Sequence, residues 1–328
     1  MNRALITGVG GQDGGYLAEL LLAAGYTVFG LVRGQNNPRL AGLRRLCPAI
    51  EFVEGDLLDQ SSLIAAIEIA QPTEIYNLAA ISSVALSFKQ PLATGEIDGL
   101  GVTRLLDAIR TVNPAIRFCQ ASSSEVFGAG AGAAATETTA HRPRSPYAAA
   151  KSYAHWMTVN HRESYGIFAC NALLFSHESP RRGREFVTRK ISTGAARISL
   201  GLQSELRLGN LDAARDWGFA ADYVDAMHRM LLQPSPDDYV LATGVAHTVR
   251  DFCHTAFDHV QLDSNAYVVS DPEFFRPVEF DSMVGDASKA RRVLGWTPTA
   301  SFAQIVGMMV DADLAAERAA AEMPAAPT

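Results

Sequence analysis

Short apolar runs and longer runs at helical spacing alternate through the first half of the chain. "RALITG" is an apolar run followed by glycines and then by "YLAELLLAAGY", whose apolar positions recur every three to four residues. "TVFGLVR" predicts the next strand and "EFVEGD" another; "SSLIAAIEIA" predicts a helix, "EIYNLAA" a strand, "GLGVTRLLDAIRTV" a helix and "IRFCQASS" a strand. Apolar strands separated by amphipathic helices predict a parallel sheet covered on both faces. After Lys151 the alternation loosens. "FACNALLF" reads as one more buried strand, and "SPRRGREF", "NLDAARDWG" and "FFRPVEFD" are polar and punctuated by glycine or proline. The expected class is α/β: a doubly wound parallel sheet over residues 1–175 and a smaller, mixed C-terminal lobe mainly over 176–315, with later segments returning to the first sheet. The alanine-rich ending, "AAERAAAEMPAAPT", reads as a fraying helix leading to a disordered tail, placed at 316–328.

Composition narrows the class of partner. The 328 residues are 48% hydrophobic and carry a formal net charge of −7. No block of lysine or arginine stands out, so neither nucleic acid nor an anionic membrane surface is expected as a partner. No apolar run is long enough to span a bilayer. The opening "MNRALITGVGG" enters a strand at once, without the layout of a signal peptide. Cys47, Cys119, Cys170 and Cys253 are scattered, without metal-ligand or redox spacing. They read as reduced thiols of a cytoplasmic protein that binds no metal.

The stretch "TGVGGQDGGYLAELLL" sits between the first strand and the first helix. Gly8, Gly11 and Gly14 are three apart, and such glycines let backbone N–H groups approach a pyrophosphate at a helix N-terminus. A plain glycine turn would look the same in isolation; the strand before and the helix after favour a dinucleotide site of the Rossmann-like type. Its candidates in this turn are Gly8, Gly11, Gln12, Asp13 and Gly14. The second strand ends in "LVRGQNNPR", with Arg33 where an NAD site usually places an acidic residue, and Arg39 follows. A cation suits a 2′-phosphate, which favours NADP and leaves NAD open. Asp56 and Leu57 in "EGDLLD" and Leu78 and Ala79 in "YNLAA" lie at strand ends, where adenine and ribose would rest.

"SPYAAAKSYAHW" places Tyr147 and Lys151 one helical turn apart, on one face. They read either as ordinary surface residues or as an acid–base pair. In the second case the ammonium favours the phenolate, lowering the phenol's pKa, and Tyr147 becomes a base for a sugar hydroxyl. The glycine turn upstream and "QASSSEVFG" on the strand just before favour the second case, because serines at the C-terminal end of a parallel strand face the ligand crevice.

With these runs in view, the chain resembles the extended short-chain dehydrogenase/reductases and, more closely, the GDP-mannose 4,6-dehydratase family. The glycine turn, "QASSSEVFG", "RPRSPYAAAK", "HESPRRGREFVTRKI", "LGNLDAARDWGFAADYV" and "KARRVLGWTP" carry the resemblance over nearly the whole length. It implies that Tyr147 and Lys151 are the redox pair, that Ser123 takes the place of the family's active-site threonine, and that Glu125 is the catalytic glutamate. It also implies that His177 and Arg182 approach the cofactor. Ser176, Val187, Lys190, Arg215 and Arg276 would line the GDP-sugar site, and three cations from separate loops suit a diphosphate. Ile81 stands where the family usually has glutamine, Ser176 where it has asparagine, and "GQNNP" replaces a second arginine and serine after Arg33.

The implied reaction is oxidation at C4, loss of water across C5 and C6 with Glu125 as the C5 base, and reduction at C6. The implied assembly is a homodimer through the helix bearing Tyr147, with a homotetramer as the alternative. Three other readings stay open at this point: a GDP-manno-heptose 4,6-dehydratase, a GDP-4-keto-6-deoxy-sugar reductase, and a dinucleotide-binding protein without catalysis.

Overall fold

The computed structural model describes residues 2–34, 38–128, 134–275 and 283–322. The N-terminal half supplies strands β1 (Arg3–Thr7), β2 (Thr27–Val32), β3 (Glu51–Glu54), β4 (Glu74–Asn77), β5 (Arg117–Ser123) and β6 (Ala169–Leu174). Between them run α1 (Gln12–Ala23), α2 (Pro38–Leu46), α3 (Gln60–Ala70), α4 (Val84–Lys89), α5 (Pro91–Thr94), α6 (Gly101–Val112) and α7 (Pro146–Tyr165). A π-helical segment, Gly95–Leu100, leads into α6. The rest of the chain forms β7 (Ser176–Glu178), α8 (Val187–Ser199), β8 (Leu206–Leu208), β9 (Ala214–Phe219), α9 (Ala220–Leu231), β10 (Tyr239–Leu241), β11 (Ala246–Thr248), α10 (Val249–His259), β12 (Val268–Ser270), α11 (Ser288–Leu294) and α12 (Phe302–Glu322).

Seven strands make one parallel sheet in the order β3–β2–β1–β4–β5–β6–β10. Both faces are buried, which is why these strands read as apolar runs. Leu17, Leu21, Tyr223, Met227 and Trp296 pack one face, bringing α1, α9 and the segment after α11 together. Leu63, Ile67, Leu105, Ile109 and Ala154 pack the other, from α3, α6 and α7. Each such leucine or isoleucine taken out of water stabilises the fold by about 2 kcal/mol. Because β10, α9 and α11 join this sheet, residues 176–315 do not form a single separate block.

Between β1 and β4 the strand order reverses, and a crevice opens at their C-terminal ends. Its floor is tied by side chains. The Thr7 hydroxyl donates to Asn77 Oδ1 at 2.6 Å, and Asn77 Nδ2 donates to Gln120 Oε1 at 2.8 Å. The same Thr7 oxygen accepts the N–H groups of Leu78 and Ala79, each at 3.1 Å. Three strand ends are thereby locked in register at the switch point.

The smaller lobe has two short sheets, β11–β9–β7 and β12–β8, packed with α8, α10 and α12 around Ile191, Phe252, Val306 and Met309. Its last helix corrects the expectation of disorder from residue 316. Alanine-rich sequence favours helix, and Glu317 is held by Arg197 Nη1 at 2.6 Å, so α12 continues to Glu322. The expected tail beyond it, 323–328, lies outside the described residues.

Candidate active site

The site begins at the glycine turn. Gly8 has φ +69°, and a Cβ there would lie 2.7 Å from the Ala79 nitrogen. A Cβ on Gly14 would lie 2.5 Å from the Gly8 oxygen. Glycine is therefore required at both places, one for its backbone shape and one for close packing of α1 on the turn. The N-terminal end of α1 opens beside Leu78 and Ala79, in the crevice that Thr7 organises.

From the first turn of α1, Gln12 and Asp13 reach across to β7. Gln12 Nε2 donates to the His177 carbonyl at 3.1 Å, and the Ser179 hydroxyl donates to Gln12 Oε1 at 2.8 Å. His177 Nδ1 lies 2.7 Å from the Phe175 carbonyl and its Nε2 lies 2.9 Å from Asp13 Oδ2. Both ring nitrogens thus face acceptors, which demands that both carry protons. Burial opposes the charge on His177, but Asp13 outweighs it and the imidazole pKa is raised. Burial likewise opposes the Asp13 carboxylate, and His177 with Gln12 outweighs it, so that pKa is lowered. The imidazolium stacks on the Tyr223 ring, centroids 4.7 Å apart.

The reactive end is built by β5 and α7. Ser123 ends β5, and its hydroxyl accepts the Glu125 N–H at 3.2 Å, starting the short turn that presents Glu125. Ser145 caps α7 by accepting the Ala148 N–H at 3.1 Å, and Pro146 takes the first helical position. This fixes the start of the helix and places Tyr147 and Lys151 on its buried side, 9% and 3% exposed. Ser123 lines the same cleft as Tyr147, and its hydroxyl favours the phenolate. Lys151 Nζ donates to the Ala121 carbonyl at 2.9 Å and lies 5.8 Å from the centre of the Tyr147 ring. Glu125 keeps one buried oxygen, Oε2, without a hydrogen-bond partner among the described residues.

The electrostatics correct one expectation. Burial pushes the Tyr147 phenol well above its ordinary value; the Ser123 hydroxyl pulls it down, Asp98 and Glu125 push it up, and Arg182 pulls it down. The depression expected from the neighbouring ammonium is absent, because desolvation exceeds every attraction. Lys151 is shifted too: burial lowers it, against Asp98 and Asp13.

The glycine turn, Gln12, Asp13, Ser123, Glu125, Tyr147, Lys151 and His177 line one cleft of about 1980 Å³ between the sheet and the smaller lobe. Arg33, Asp56 and Leu57 line its glycine-turn side, beside Gly11 and Leu78. Ser176, Val187, Lys190 and Arg215 line it from the lobe, with Arg182 between the two. Arg276 lies outside the described residues.

A sequence model of the family described as GDP-mannose 4,6 dehydratase matches residues 5–309. The chain belongs to the GDP-mannose 4,6-dehydratase family. It is similar to the Arabidopsis thaliana protein "GDP-mannose 4,6 dehydratase 1", with 50% identity over 323 residues, 95% of this chain and 89% of that one. It is 45% identical over 340 residues to the Homo sapiens "GDP-mannose 4,6 dehydratase", 95% of this chain and 91% of that one. Among solved structures, the Thermus thermophilus UDP-glucose 4-epimerase complex with NAD is similar at TM-score 0.82 and 26% identity, over 95% of this chain and 98% of that one.

Within the GDP-mannose 4,6-dehydratase frame, two departures have visible settings. Ile81 presents its backbone N–H to Asp98 Oδ1 at 2.8 Å, so the segment is anchored through the main chain whatever the side chain. Ser176 begins β7, paired with Trp217 of β9. Two functional neighbours escaped the sequence reading. Asp98 is buried in the π-helical segment and faces Lys151; burial raises its carboxyl pKa against the pull of Lys151 and the Ile81 N–H. Glu96, two residues before it, is exposed and pairs with Arg104, and the sequence does not tell the two carboxylates apart. Arg189 had no local signal, since its partner is 124 residues away.

Proposed function

We propose that this chain is an NADP-dependent GDP-mannose 4,6-dehydratase, a lyase converting GDP-mannose to GDP-4-keto-6-deoxymannose. The observation that carries the proposal is the meeting of Tyr147, Lys151 and Ser123 with a carboxylate, Glu125, whose Oε2 is buried and unpartnered among the described residues. A reductase or 4-epimerase has no proton to remove at C5 and needs no such acid.

The residues present fit a nicotinamide dinucleotide. The N-terminal end of α1, the close approach that only glycine allows at positions 8 and 14, and the Thr7-braced crevice form an anion-binding cradle. Gly8, Gly11 and Gly14 would pass the pyrophosphate, Asp56, Leu57, Leu78 and Ala79 the adenine and ribose, and Tyr147, Lys151, His177 and Arg182 the nicotinamide half. Arg33, exposed at the exit of β2, supports NADP over NAD through a 2′-phosphate contact. When bound, the oxidised cofactor supplies a hydride acceptor for C4, a cationic ring that favours a phenolate, and the hydride later returned to C6.

Tyr147 takes the proton of the C4 hydroxyl, and the Lys151 ammonium stabilises the phenolate so formed. Ser123 holds the C4 oxygen. The resulting ketone makes the C5 hydrogen acidic, and Glu125 removes it and helps expel the C6 hydroxyl as water. Lys190 and Arg215, with Val187 at the start of α8, would hold the GDP diphosphate and sugar from the lobe side.

The chain is further proposed to be a cytoplasmic homodimer. Among the described residues no helix is long and apolar enough to cross a membrane. The outer face of α6 and α7 leaves Tyr153, Trp156 and Tyr165 exposed, Trp156 at 57%. Three exposed aromatics on α7 suit a face that pairs with a second copy. Mass spectrometry of GDP-mannose incubated with the purified protein and no added reductant tests the function: loss of one water supports it, and an unchanged spectrum with dinucleotide bound overturns it.

A further inference from the structure

We propose that the Arg189–Asp313 pair is a positioning device: it lets the C-terminal helix hold the 179–184 loop in the shape that presents Arg182 to the cleft it shares with the reactive tyrosine. This rests on the dehydratase reading above.

The Arg189 guanidinium is divided between two tasks. Its Nε lies 3.0 and 2.9 Å from the two oxygens of Asp313, and its Nη2 lies 2.7 Å from Oδ1. Asp313, on α12, is 1% exposed and also accepts from the Ser192 hydroxyl at 2.6 Å. The remaining nitrogen, Nη1, donates to the carbonyls of Pro180 and Arg182, the latter at 3.1 Å. The loop that these carbonyls belong to runs between the cofactor side and α8. At its start Ser179 is bonded to Gln12, and at its end Phe186 caps α8. Arg182 projects from its middle, its guanidinium carbon 3.6 Å from the centre of the Phe186 ring and its Nε 3.2 Å from Glu178 Oε2. Arg182 lines the same cleft as Tyr147, Lys151 and His177.

A plain strap between α8 and α12 would look different. Arg197–Glu317 joins the same two helices at 2.6 Å, and its further bond, to the Leu202 carbonyl, leads to the far end of α8 and not to the loop. Of the two arginines, it is Arg189 that reaches the loop. It does so with a planar fork that fixes the carboxylate and the carbonyls in one geometry. A lysine, with one point charge, can meet the carboxylate but not hold both carbonyls beside it.

Three variants separate positioning from simple strapping: Arg189→Lys, Asp313→Asn and Glu317→Gln. Each is compared with wild type for thermal midpoint by circular dichroism, for Kd of NADP+ and NAD+ by calorimetry, and for kcat and KM with GDP-mannose. For Arg189→Lys the tighter dinucleotide should bind about tenfold more weakly. Its kcat should fall about 10–100-fold, as expected when a group beside the chemistry is displaced, with a smaller change in KM. Glu317→Gln should lower the midpoint with Kd and kcat within about twofold of wild type. Asp313→Asn, which keeps one acceptor for Arg189, should lose Kd and kcat to an intermediate degree, and it decides the question if Arg189→Lys does not fold. Unchanged Kd and kcat in folded Arg189→Lys or Asp313→Asn would overturn the proposal. Failure of wild type to dehydrate GDP-mannose overturns only the dehydratase reading, because the dinucleotide Kd still reports the loop.

Discussion

Asp13 and His177 form a part-buried ion pair, 2.9 Å between Oδ2 and Nε2, that latches the first turn of α1 to β7. Its pH dependence has two limbs. The His177 pKa is raised, so its contribution is complete below the unfolded histidine value of about 6.5 and is lost as pH rises through the folded value. The Asp13 pKa is lowered, so its contribution is present above the unfolded carboxyl value of about 3.9 and is lost as pH falls through the folded value. Asp13→Asn should therefore cost about 3 kcal/mol near pH 5–6, less at pH 9, and least at strongly acid pH. Urea unfolding at those pH values measures it, and a pH-independent loss would contradict the latch.

Glu125→Gln keeps the shape and removes the base. Dinucleotide and GDP binding should stay within about twofold, while dehydration falls by about 10²–10⁴, the ordinary contribution of a positioned base. Exchange of the C5 hydrogen with deuterated solvent should stop. Turnover near wild type would reassign the proton removal to another group.

Lys151 is nearly fully buried, and its ammonium donates to the Ala121 carbonyl. Its removal leaves the buried Asp98 carboxyl without that charge beside it, a loss of about 3 kcal/mol that is smaller if Asp98, whose pKa is already raised by burial, takes up a proton. Lys151→Met should thus unfold within about 3 kcal/mol of wild type yet lose most of its kcat. The activity loss should be greatest at neutral pH, because without the ammonium the Tyr147 phenol, already raised by burial, ionises still less readily. Joint denaturation and pH–rate measurements decide it; parallel losses of stability and rate would mean that Lys151 is structural.

Arg33 stands exposed where β2 ends. Arg33→Ala should weaken NADP+ by about 10–100-fold, the worth of a charge-assisted contact, and leave NAD+ within about twofold. Calorimetry with both dinucleotides reads this directly. An equal effect on both would remove the 2′-phosphate from the assignment of Arg33.

The fold was legible where a local period carried it. β1 and β2 are largely apolar and β4, β5 and β6 keep apolar stretches because both sheet faces are covered, and the helices between them keep one apolar side. Tyr147 and Lys151 were legible as a pair because helical spacing alone puts them on one face. The sign of the phenol's shift was not, since it depends on how far β5, α6 and α7 together exclude water. Asp98 was hidden for the same reason: its meaning comes from Lys151, on another helix. Arg189 and Asp313 are partners by folding alone, and the helical continuation past residue 316 rests on an ion pair that no local pattern announces.

The latch from Gln12 and Asp13 to His177 and Ser179 also sets an order of events during synthesis. The glycine turn is synthesised well before its side-chain partners, which lie 164 to 167 residues later. Until β7 has been made and has folded back, α1 carries a buried-type carboxylate with no imidazolium to meet it. A nascent chain ending near residue 170 therefore holds every glycine of the nucleotide cradle and still lacks the clasp that completes it. Dinucleotide capture by this cradle should therefore wait for the return of the second half of the chain.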